Sequence, residues 1–252
     1  MGIEKHAHII VINSKDNTDL NAAIAANLAI ELMEEKHSVA SVDLDGAEGV
    51  LSRFMSIRSK YENEHKIWLK MPTHKEIYSD KGQNLCDFLQ EAQNKFDAII
   101  IPSPSEKNNF KSEFFNADTL VTILEDKTSL ALLSEPEPSK ENILKPSAYT
   151  NFVWEIKKHL ASAEKKSLNW VVLPYQEGKT ADKQHDFLQE LSKKYGFKVS
   201  PAILPRDTVF ELMNEGLTLF DLNNSALKNK MTLSWLGAKR EYRNFAEFAL
   251  NS

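Results

Sequence analysis

The chain has 252 residues, which is enough for one large domain or two small ones with a sizeable core. Hydrophobic residues make up 42% and charged residues 27%, as in soluble globular proteins, and a net charge of -5 gives no overall attraction to nucleic acid. The single cysteine, Cys86, excludes an intrachain disulfide and a cysteine zinc site, and it suits a reducing cytoplasm. No apolar run approaches the ~20 residues of a membrane-spanning helix, so we expect a cytoplasmic protein without a membrane segment.

Strands and helices alternate from the amino terminus. The β-branched run 7–12 predicts a buried strand, residues 22–33 predict a helix with an apolar face, and 38–44 predict a second strand. This βαβ order indicates a parallel sheet. The alternation continues with predicted strands at 96–101, 119–124, 169–173 and 197–200, and predicted helices at 85–95, 151–164, 182–195 and 231–250.

The segment 134–148 contains three prolines, which exclude a regular helix or a central strand there. We predict a surface loop inside a single domain that spans residues 1–252, because strands are predicted on both sides of it. A domain boundary at this place is the alternative.

The loop after the first predicted strand has an unusual composition for a chain of this class. Phosphate-binding loops carry glycines that let backbone N–H groups wrap an anion, followed by Lys-Ser or Lys-Thr. Residues 13–22 contain no glycine and no such pair, and Asp16 and Asp19 stand where an anion would dock. Thr18 or Asp19 is predicted to cap the next helix. Taken alone, this loop favours an ordinary connection in an unrelated α/β protein.

Other segments resemble ParA/MinD-type ATPases. The stretch Val42-Asp43-Leu44-Asp45, after a long first helix, is similar to the second acidic motif of that family, and Lys15 falls at its signature lysine. The similarity continues in order along nearly the whole chain and favours the branch of MipZ-type division-plane positioning ATPases. The segments that carry it are 52–54, 57–58, 153–155, 169–173, 196–198, 216–222 and 241–243.

The resemblance implies an α/β fold of the P-loop NTPase-like (SIMIBI) class, a parallel sheet flanked by helices on both faces in a single domain. It implies a protein that dimerises around two ATP molecules, binds DNA nonspecifically and contacts ParB, and MipZ-type members inhibit FtsZ polymerisation. In such a protein the carboxylate of Asp43 would help to set the magnesium ion and the attacking water.

Three departures from the family pattern concern the nucleotide. The first is the loop 13–22. The second is Pro102 at the position of the Walker B carboxylate, since proline cannot hold Mg²⁺ through a water. The third is Pro174-Tyr175-Gln176, where the family usually places an asparagine that contacts adenine. The resulting prediction is a pseudo-ATPase with no metal and no cofactor, whose vestigial nucleotide positions are Lys15, Asp16, Asp19, Asn21, Asp43, Asp45 and Pro102.

Several interpretations remain open at the level of sequence. A structural ion pair is the favoured interpretation of Lys15, and capping of a turn is that of Asp43. Arg53, Arg58 and Lys60 form either a patch that faces DNA or a partner, or the solvated charges of a helix. The predicted function is regulation or scaffolding of cell division or chromosome segregation by a monomer that binds a ParB-like or FtsZ-like protein, with weak nonspecific DNA binding. One alternative is a divergent Mg-ATP-dependent ATPase that regulates FtsZ placement with substitute ligands. Another is a ParA-like scaffold recruited to an unrelated role.

Overall fold

A seven-stranded parallel sheet forms the centre of the protein. The computed structural model describes residues 6–78, 84–104, 113–126, 128–136, 144–162, 167–176, 181–223 and 233–251. The strands are β1 His8–Asn13, β2 Val39–Asp43, β3 Thr73–Glu76, β4 Ala98–Pro102, β5 Thr119–Leu124, β6 Ser134–Pro136, β7 Leu144–Pro146, β8 Asn169–Pro174 and β9 Lys198–Val199. The helices are α1 Thr18–Glu34, α2 Val50–His65, α3 Leu85–Ala92, α4 Ala148–Ser162, α5 Ala181–Tyr195, α6 Asp207–Asn214 and α7 Leu233–Asn251.

The main sheet has the order β3-β2-β4-β1-β5-β8-β9, and every neighbouring pair is parallel. The middle strand, β1, pairs with β4 on one side and with β5 on the other. The carboxyl ends of these strands therefore meet at one edge, which is where ligands bind in open parallel sheets. We call this the carboxyl edge.

Helices cover both faces of the sheet and enclose two hydrophobic clusters. Ile10 and Ile12 of β1 point into one cluster, whereas Ile9 and Val11 point into the other. The first cluster includes buried residues of α1, α2, α6 and α7, and the second includes those of α3, α4 and α5. Strands that are buried on both faces need continuous apolar runs, which is why they were recognisable in the sequence.

The predicted fold class, a parallel-sheet domain with helices on both faces, is confirmed. Besides β6 and β7, the elements absent from the predicted order are β3, α6 and α2, the last of which entered only as one interpretation of Arg53, Arg58 and Lys60. The predicted loop at 134–148 needs a correction, because β6 and β7 pair there as a separate antiparallel ribbon, with Ser134 opposite Pro146 and Pro136 opposite Leu144. Its prolines stand at the ends of this short ribbon, where a missing N–H is tolerated. Residues 137–143, including Pro138, lie outside the described residues.

Candidate functional site at the carboxyl edge

The loop between β1 and α1 is closed by its own hydrogen bonds. The Ser14 hydroxyl donates to the Asn17 carbonyl oxygen at 2.9 Å and accepts from the Asn17 N–H at 3.1 Å. The Asn17 side chain accepts from the Leu20 N–H at 3.0 Å and thereby caps α1. The prediction that Thr18 or Asp19 caps this helix was therefore wrong. Asp19 lies in the first turn and is exposed, where its carboxylate interacts favourably with the helix dipole.

The backbone of this loop does not form a phosphate-binding nest. Such a nest needs residues in the left-handed region so that successive N–H groups converge on an anion. Among the described residues, positive φ angles occur at Lys36, Gly46, Lys66, Gly196 and Gly216, and none of these belongs to the loop. This loop without glycine thus follows a backbone path different from that of a phosphate nest. The Asn17 side chain already occupies the N-terminus of α1.

A cavity of about 410 Å³ lies between this loop and the segment that follows β5. Asn17 spans it, donating from its side-chain nitrogen to the Glu125 carboxylate at 2.7 Å. A hydrogen bond from the Thr128 hydroxyl, with another from the Ser129 N–H, lowers the pKa of Asp126 and keeps that carboxyl ionised. The charged side chains among the described lining residues are the carboxylates Asp16, Asp19, Glu125 and Asp126 and the lysine Lys15.

Lys15 is exposed, and it makes no ion pair with any residue that the structure describes. The expected structural ion pair of Lys15 is therefore a wrong prediction. The physical reason is geometric, since Asp43 is buried and has its carboxylate engaged by backbone groups elsewhere.

Asp43 ends β2 and holds the start of α2. Its two carboxylate oxygens accept from the Asp45 N–H at 3.0 Å and from the Ser52 N–H at 2.9 Å. Burial raises the pKa of Asp43, and these backbone hydrogen bonds oppose that change. The side chain lies so close to Gly49 that a Cβ atom there would be 2.0 Å from Asp43 Oδ1. These contacts support the capping interpretation of Asp43, with Asp45 in the turn that it braces.

A polar network that the sequence did not reveal adjoins Asp43. His74 of β3 bonds the Ser41 hydroxyl through Nδ1 and the Ser52 hydroxyl through Nε2, both at 2.9 Å. Burial lowers the pKa of His74 to about 4, so the ring is neutral at pH 7. Serine, histidine and aspartate resemble a nucleophilic triad, but Ser41 and Ser52 are buried and offer no access to a substrate. The network joins β2, β3 and α2.

The end of β4 contains the residues that would face a metal ion. Pro102 pairs with Ile12 and has no carboxylate to offer. Asn21 of α1 donates to the Ser103 carbonyl oxygen at 3.3 Å. Asn21 Oδ1 and Ser103 Oγ are buried and have no hydrogen-bond partner in the part of the chain that the structure describes. Among the described residues, no group of three or more His, Cys, Asp or Glu side chains could hold a metal ion. Neutral oxygens alone do not fit the carboxylate-assisted site that Mg²⁺ takes beside nucleotide phosphates.

The end of β8 is closed by an aromatic side chain. The Tyr175 N–H donates to the Leu124 carbonyl oxygen at 2.8 Å, and Tyr175 pairs with Ile203 in an isolated bridge. The side chain is buried, and this burial raises its pKa to about 12. Together with the acidic cavity and Pro102, this edge does not fit Mg²⁺ and a nucleoside triphosphate.

Arg58 does not belong to a surface patch, and that prediction was wrong. Its guanidinium is fully buried and forms a bidentate ion pair with Asp221, with N–O distances of 2.6 and 2.7 Å. It also donates to the carbonyl oxygens of Lys70 and Gly216. Asp221 in turn accepts from the N–H and hydroxyl of Thr218, so the segment 216–222 forms a binding site for the arginine. We call this group of contacts the Arg58 cluster.

The other two residues of the predicted patch, Arg53 and Lys60, are exposed. Lys60 lies 3.7 Å from Glu64 one turn further along α2, which partly neutralises its charge. An exposed pair of this kind contributes little to stability. The two remaining residues thus give α2 a modest basic surface rather than a concentrated patch.

Comparisons with known proteins agree with this architecture. The family model described as ATPase MipZ matches residues 8–251. No curated protein sequence matches the chain closely enough to count as a relative. Among solved structures, the MinD cell division protein of Aquifex aeolicus is similar at a TM-score of 0.58 and 14% identity, covering 98% of each chain.

Two further solved structures show the same fold. The ATP complex of a Cyanothece McdA variant gives a TM-score of 0.55 at 14% identity, covering 94% of this chain and 96% of that one. A putative plasmid partition protein from Borrelia burgdorferi bound to AMPPNP gives 0.56 at 14% identity, covering 96% and 97%. None of the helices in the described part of the chain is long and apolar enough to cross a bilayer.

Proposed function

Because the chain belongs to the MipZ family of ATPases, we propose that it is a member that keeps the fold but neither binds nor hydrolyses ATP. It would act in the cytoplasm as a regulator or scaffold that binds a protein of the division or chromosome-segregation machinery. The observation that carries this proposal is the loop after β1, which is closed by Ser14 and Asn17 where phosphate would enter.

Electrostatics at the carboxyl edge support the loss of ATP binding. The described residues that line the cavity contribute four carboxylates and one lysine, so their net negative charge would oppose the approach of a nucleoside triphosphate. Two like charges about 4 Å apart repel by roughly 1 kcal/mol in water and about 4 kcal/mol near a protein surface. Binding would also have to break the Asn17 cap, which costs about 1 kcal/mol. Each of these effects opposes the ligand.

Catalysis would need groups that stabilise the transferring phosphoryl group, and the carboxyl edge offers few. The loss of one such electrostatic contact typically costs about 3–4 kcal/mol of transition-state stabilisation. Pro102 stands where a carboxylate would assist the metal ion, so that contact is absent. The Asp43 carboxylate already accepts hydrogen bonds from two backbone N–H groups. The protein is therefore proposed not to be an enzyme.

Without nucleotide to bridge two subunits, the protein would be a monomer at micromolar concentration. Its activity would depend on a ParB-like or FtsZ-like protein partner, and the modest basic surface of α2 would allow weak nonspecific binding of DNA. A stable dimer in light scattering of the nucleotide-free protein would contradict the monomeric state.

A thermal melt with and without 5 mM Mg²⁺-ATP tests the proposal, since a ligand that binds the folded state raises the melting temperature by mass action. We expect no shift beyond that given by Mg²⁺ with sodium tripolyphosphate at equal ionic strength, and no phosphate release above the buffer rate. A MinD-type ATPase in the same plate is the positive control. A saturable, Mg²⁺-dependent rise would instead favour the divergent ATPase with substitute ligands.

Partner capture separates the proposed regulator from a scaffold with an unrelated role. A tagged chain is cross-linked in its native cells, and the recovered proteins are identified by mass spectrometry. Enrichment of an FtsZ-like or ParB-like protein over an untagged control supports the proposed role. Reproducible enrichment of a different partner, with neither of these present, would favour the unrelated scaffold.

A further inference from the structure

Two lysines flank a cleft at the amino ends of β8 and β9, on the edge of the sheet opposite the carboxyl edge. The cleft measures about 390 Å³ and is lined by Lys157 of α4, Lys198 of β9, and residues 167–170, which lead into β8. A volume of this size falls within the range of small-molecule sites. Since the strands are parallel, this cleft cannot be part of the family's nucleotide site.

Neither lysine has an acidic partner among the described residues, in contrast to two arginines of this fold. Arg58 pairs with Asp221, and Arg206 pairs with Glu241, whereas Lys157 and Lys198 face the same cleft unpaired. Burial lowers the pKa of Lys157, and the positive charge of Lys198 lowers it further. Two ammonium groups that repel each other across a cleft would both be stabilised by an anion between them.

The Lys157 ammonium is held in position by a contact that leaves donors free. It donates one hydrogen bond to the Gly196 carbonyl oxygen at 2.5 Å and lies 5.7 Å from the centre of the Trp170 ring. An ammonium has three donors, so two remain available to a ligand. Gly196 has a φ of 76°, a left-handed conformation that glycine adopts without strain and that presents its carbonyl oxygen to Lys157.

The floor of the cleft is apolar and rigid. Trp170 and Phe197 are buried and pack edge to face, with ring centroids 5.2 Å apart. Trp170 is anchored from below by its indole N–H, which donates to the Thr122 hydroxyl at 2.9 Å. An apolar floor lowers the local dielectric constant and strengthens the attraction between the lysines and an anion above it.

We propose that this cleft binds a small-molecule oxyanion, whose phosphate or carboxylate group is held between the ammonium groups of Lys157 and Lys198. The site is independent of the proposed loss of ATP binding, since the two edges share no residue. Its occupant would be a free small anion rather than a segment of nucleic acid.

The test compares wild type with the double variant Lys157→Gln/Lys198→Gln. The matched control is Lys158→Gln/Lys193→Gln, which removes the same charge from exposed positions of α4 and α5. Melting temperatures are measured against inorganic phosphate and against citrate, with sodium chloride at equal ionic strength as the reference. We expect a saturable rise for wild type and control, and at least tenfold weaker binding for the double variant.

The two probes distinguish the chemistry of the anion, since a site for phosphate prefers inorganic phosphate and a site for carboxylate prefers citrate. In chloride alone, the double variant should melt no lower than wild type, because it removes a repulsion. No saturable rise in wild type with either probe, or an equal rise in the double variant, would overturn the proposal. Duplex DNA binding that needs both lysines, without binding of either small anion, would also overturn it.

A second measurement does not depend on the variants. In ¹⁵N–¹H spectra of wild type, the indole resonance of Trp170, identified by Trp170→Phe, should move saturably on addition of the preferred anion. The indole resonance of Trp68, which is 72% exposed and lies outside the cleft, is the internal reference. Equal, non-saturating movement of both resonances would mean bulk ionic effects and would contradict the site.

Discussion

The Arg58 cluster and the carboxyl edge carry charge in opposite ways. In the Arg58 cluster, a buried guanidinium meets one carboxylate and two carbonyl oxygens, which engage four of its five N–H donors. At the carboxyl edge, the described residues that line the cavity contribute four carboxylates and one exposed lysine. The first arrangement stabilises the folded chain, whereas the second repels an anion. The difference indicates that the family-like segment 216–222 maintains the fold, and it is the charge at the carboxyl edge that motivates the proposed loss of ATP binding.

The largest expected effect comes from breaking the buried ion pair. Asp221→Ala leaves the Arg58 guanidinium buried without its counter-charge, which should lower the free energy of unfolding by about 3–5 kcal/mol. Urea denaturation followed by circular dichroism measures this change. The control, Lys60→Ala, breaks only an exposed pair on the same helix and should cost less than about 0.5 kcal/mol. Equal losses in the two variants would show that the Arg58 cluster is not a source of stability.

The second-largest expected effect on stability comes from Gly216, where the chain passes close to the backbone of Arg58. Gly216 has a φ of 77°, and a Cβ atom there would lie 2.6 Å from the backbone of Arg58. Gly216→Ala should therefore lower the free energy of unfolding by about 2–3 kcal/mol. Gly237→Ala, in the exposed part of α7 with no contact under 3.8 Å, should raise it by about 0.5–1 kcal/mol. Calorimetric melts of the pair test this expected difference in sign.

The buried carboxyl of Glu113 makes the stability of the fold depend on pH, which gives a further test. Neither oxygen of Glu113 has a hydrogen-bond partner among the described residues, and burial raises the pKa of this carboxyl from 4.5 to about 8. The folded state thus binds more protons than the unfolded state between these values, so this group destabilises the fold increasingly as pH rises from 4.5 to 8. Glu113→Gln should raise the free energy of unfolding by about 1–2 kcal/mol at about pH 8.

The same substitution should give a much smaller gain at about pH 4.5, where Glu113 is protonated in the folded state and about half protonated in the unfolded state. Urea titrations of both proteins at the two pH values measure the difference. A gain of the same size at both pH values would mean that the carboxyl does not change its charge on folding.

The smallest effect concerns the loop after β1. Asn17→Ala removes the cap of α1 and the bond to Glu125, and it should lower the free energy of unfolding by about 1 kcal/mol. Thr18→Ala alters the neighbouring residue, which does not cap the helix, and should change stability by less than half as much. A larger loss for Thr18→Ala, measured by the same denaturation, would restore the capping role that the sequence suggested.

The sequence predicted the buried strands of the sheet because each is a continuous apolar run, as in residues 98–101 of β4. It did not reveal α2 and β3, since α2 is polar over most of its length and β3 reads Thr-His-Lys-Glu at the edge of the sheet. The partner of Arg58 lies 163 residues away along the chain, so no local pattern could indicate that the arginine is buried. The contacts of His74 were not predictable for the same reason, since Ser41 and Ser52 lie 33 and 22 residues away along the chain.

At the carboxyl edge, the loop 13–22 has no glycine in the sequence and no positive φ angle in the structure. The sequence could not indicate which of three neighbouring polar residues caps α1, since Asn17, Thr18 and Asp19 all have suitable side chains. It also gave no reason to expect Glu125 beside this loop. Glu125 follows β5, and β5 is brought next to the loop by its pairing with β1.

The most direct test of the account is a ¹⁵N–¹H titration of the protein with Mg²⁺-ATP, observed at the backbone amides of the loop. If Asn17 occupies the helix N-terminus and the carboxylates repel phosphate, the Asn17 and Leu20 amides should show no saturable shift up to millimolar nucleotide. Saturable, Mg²⁺-dependent shifts of these two amides would show that ATP displaces the cap, and they would contradict the proposed loss of nucleotide binding.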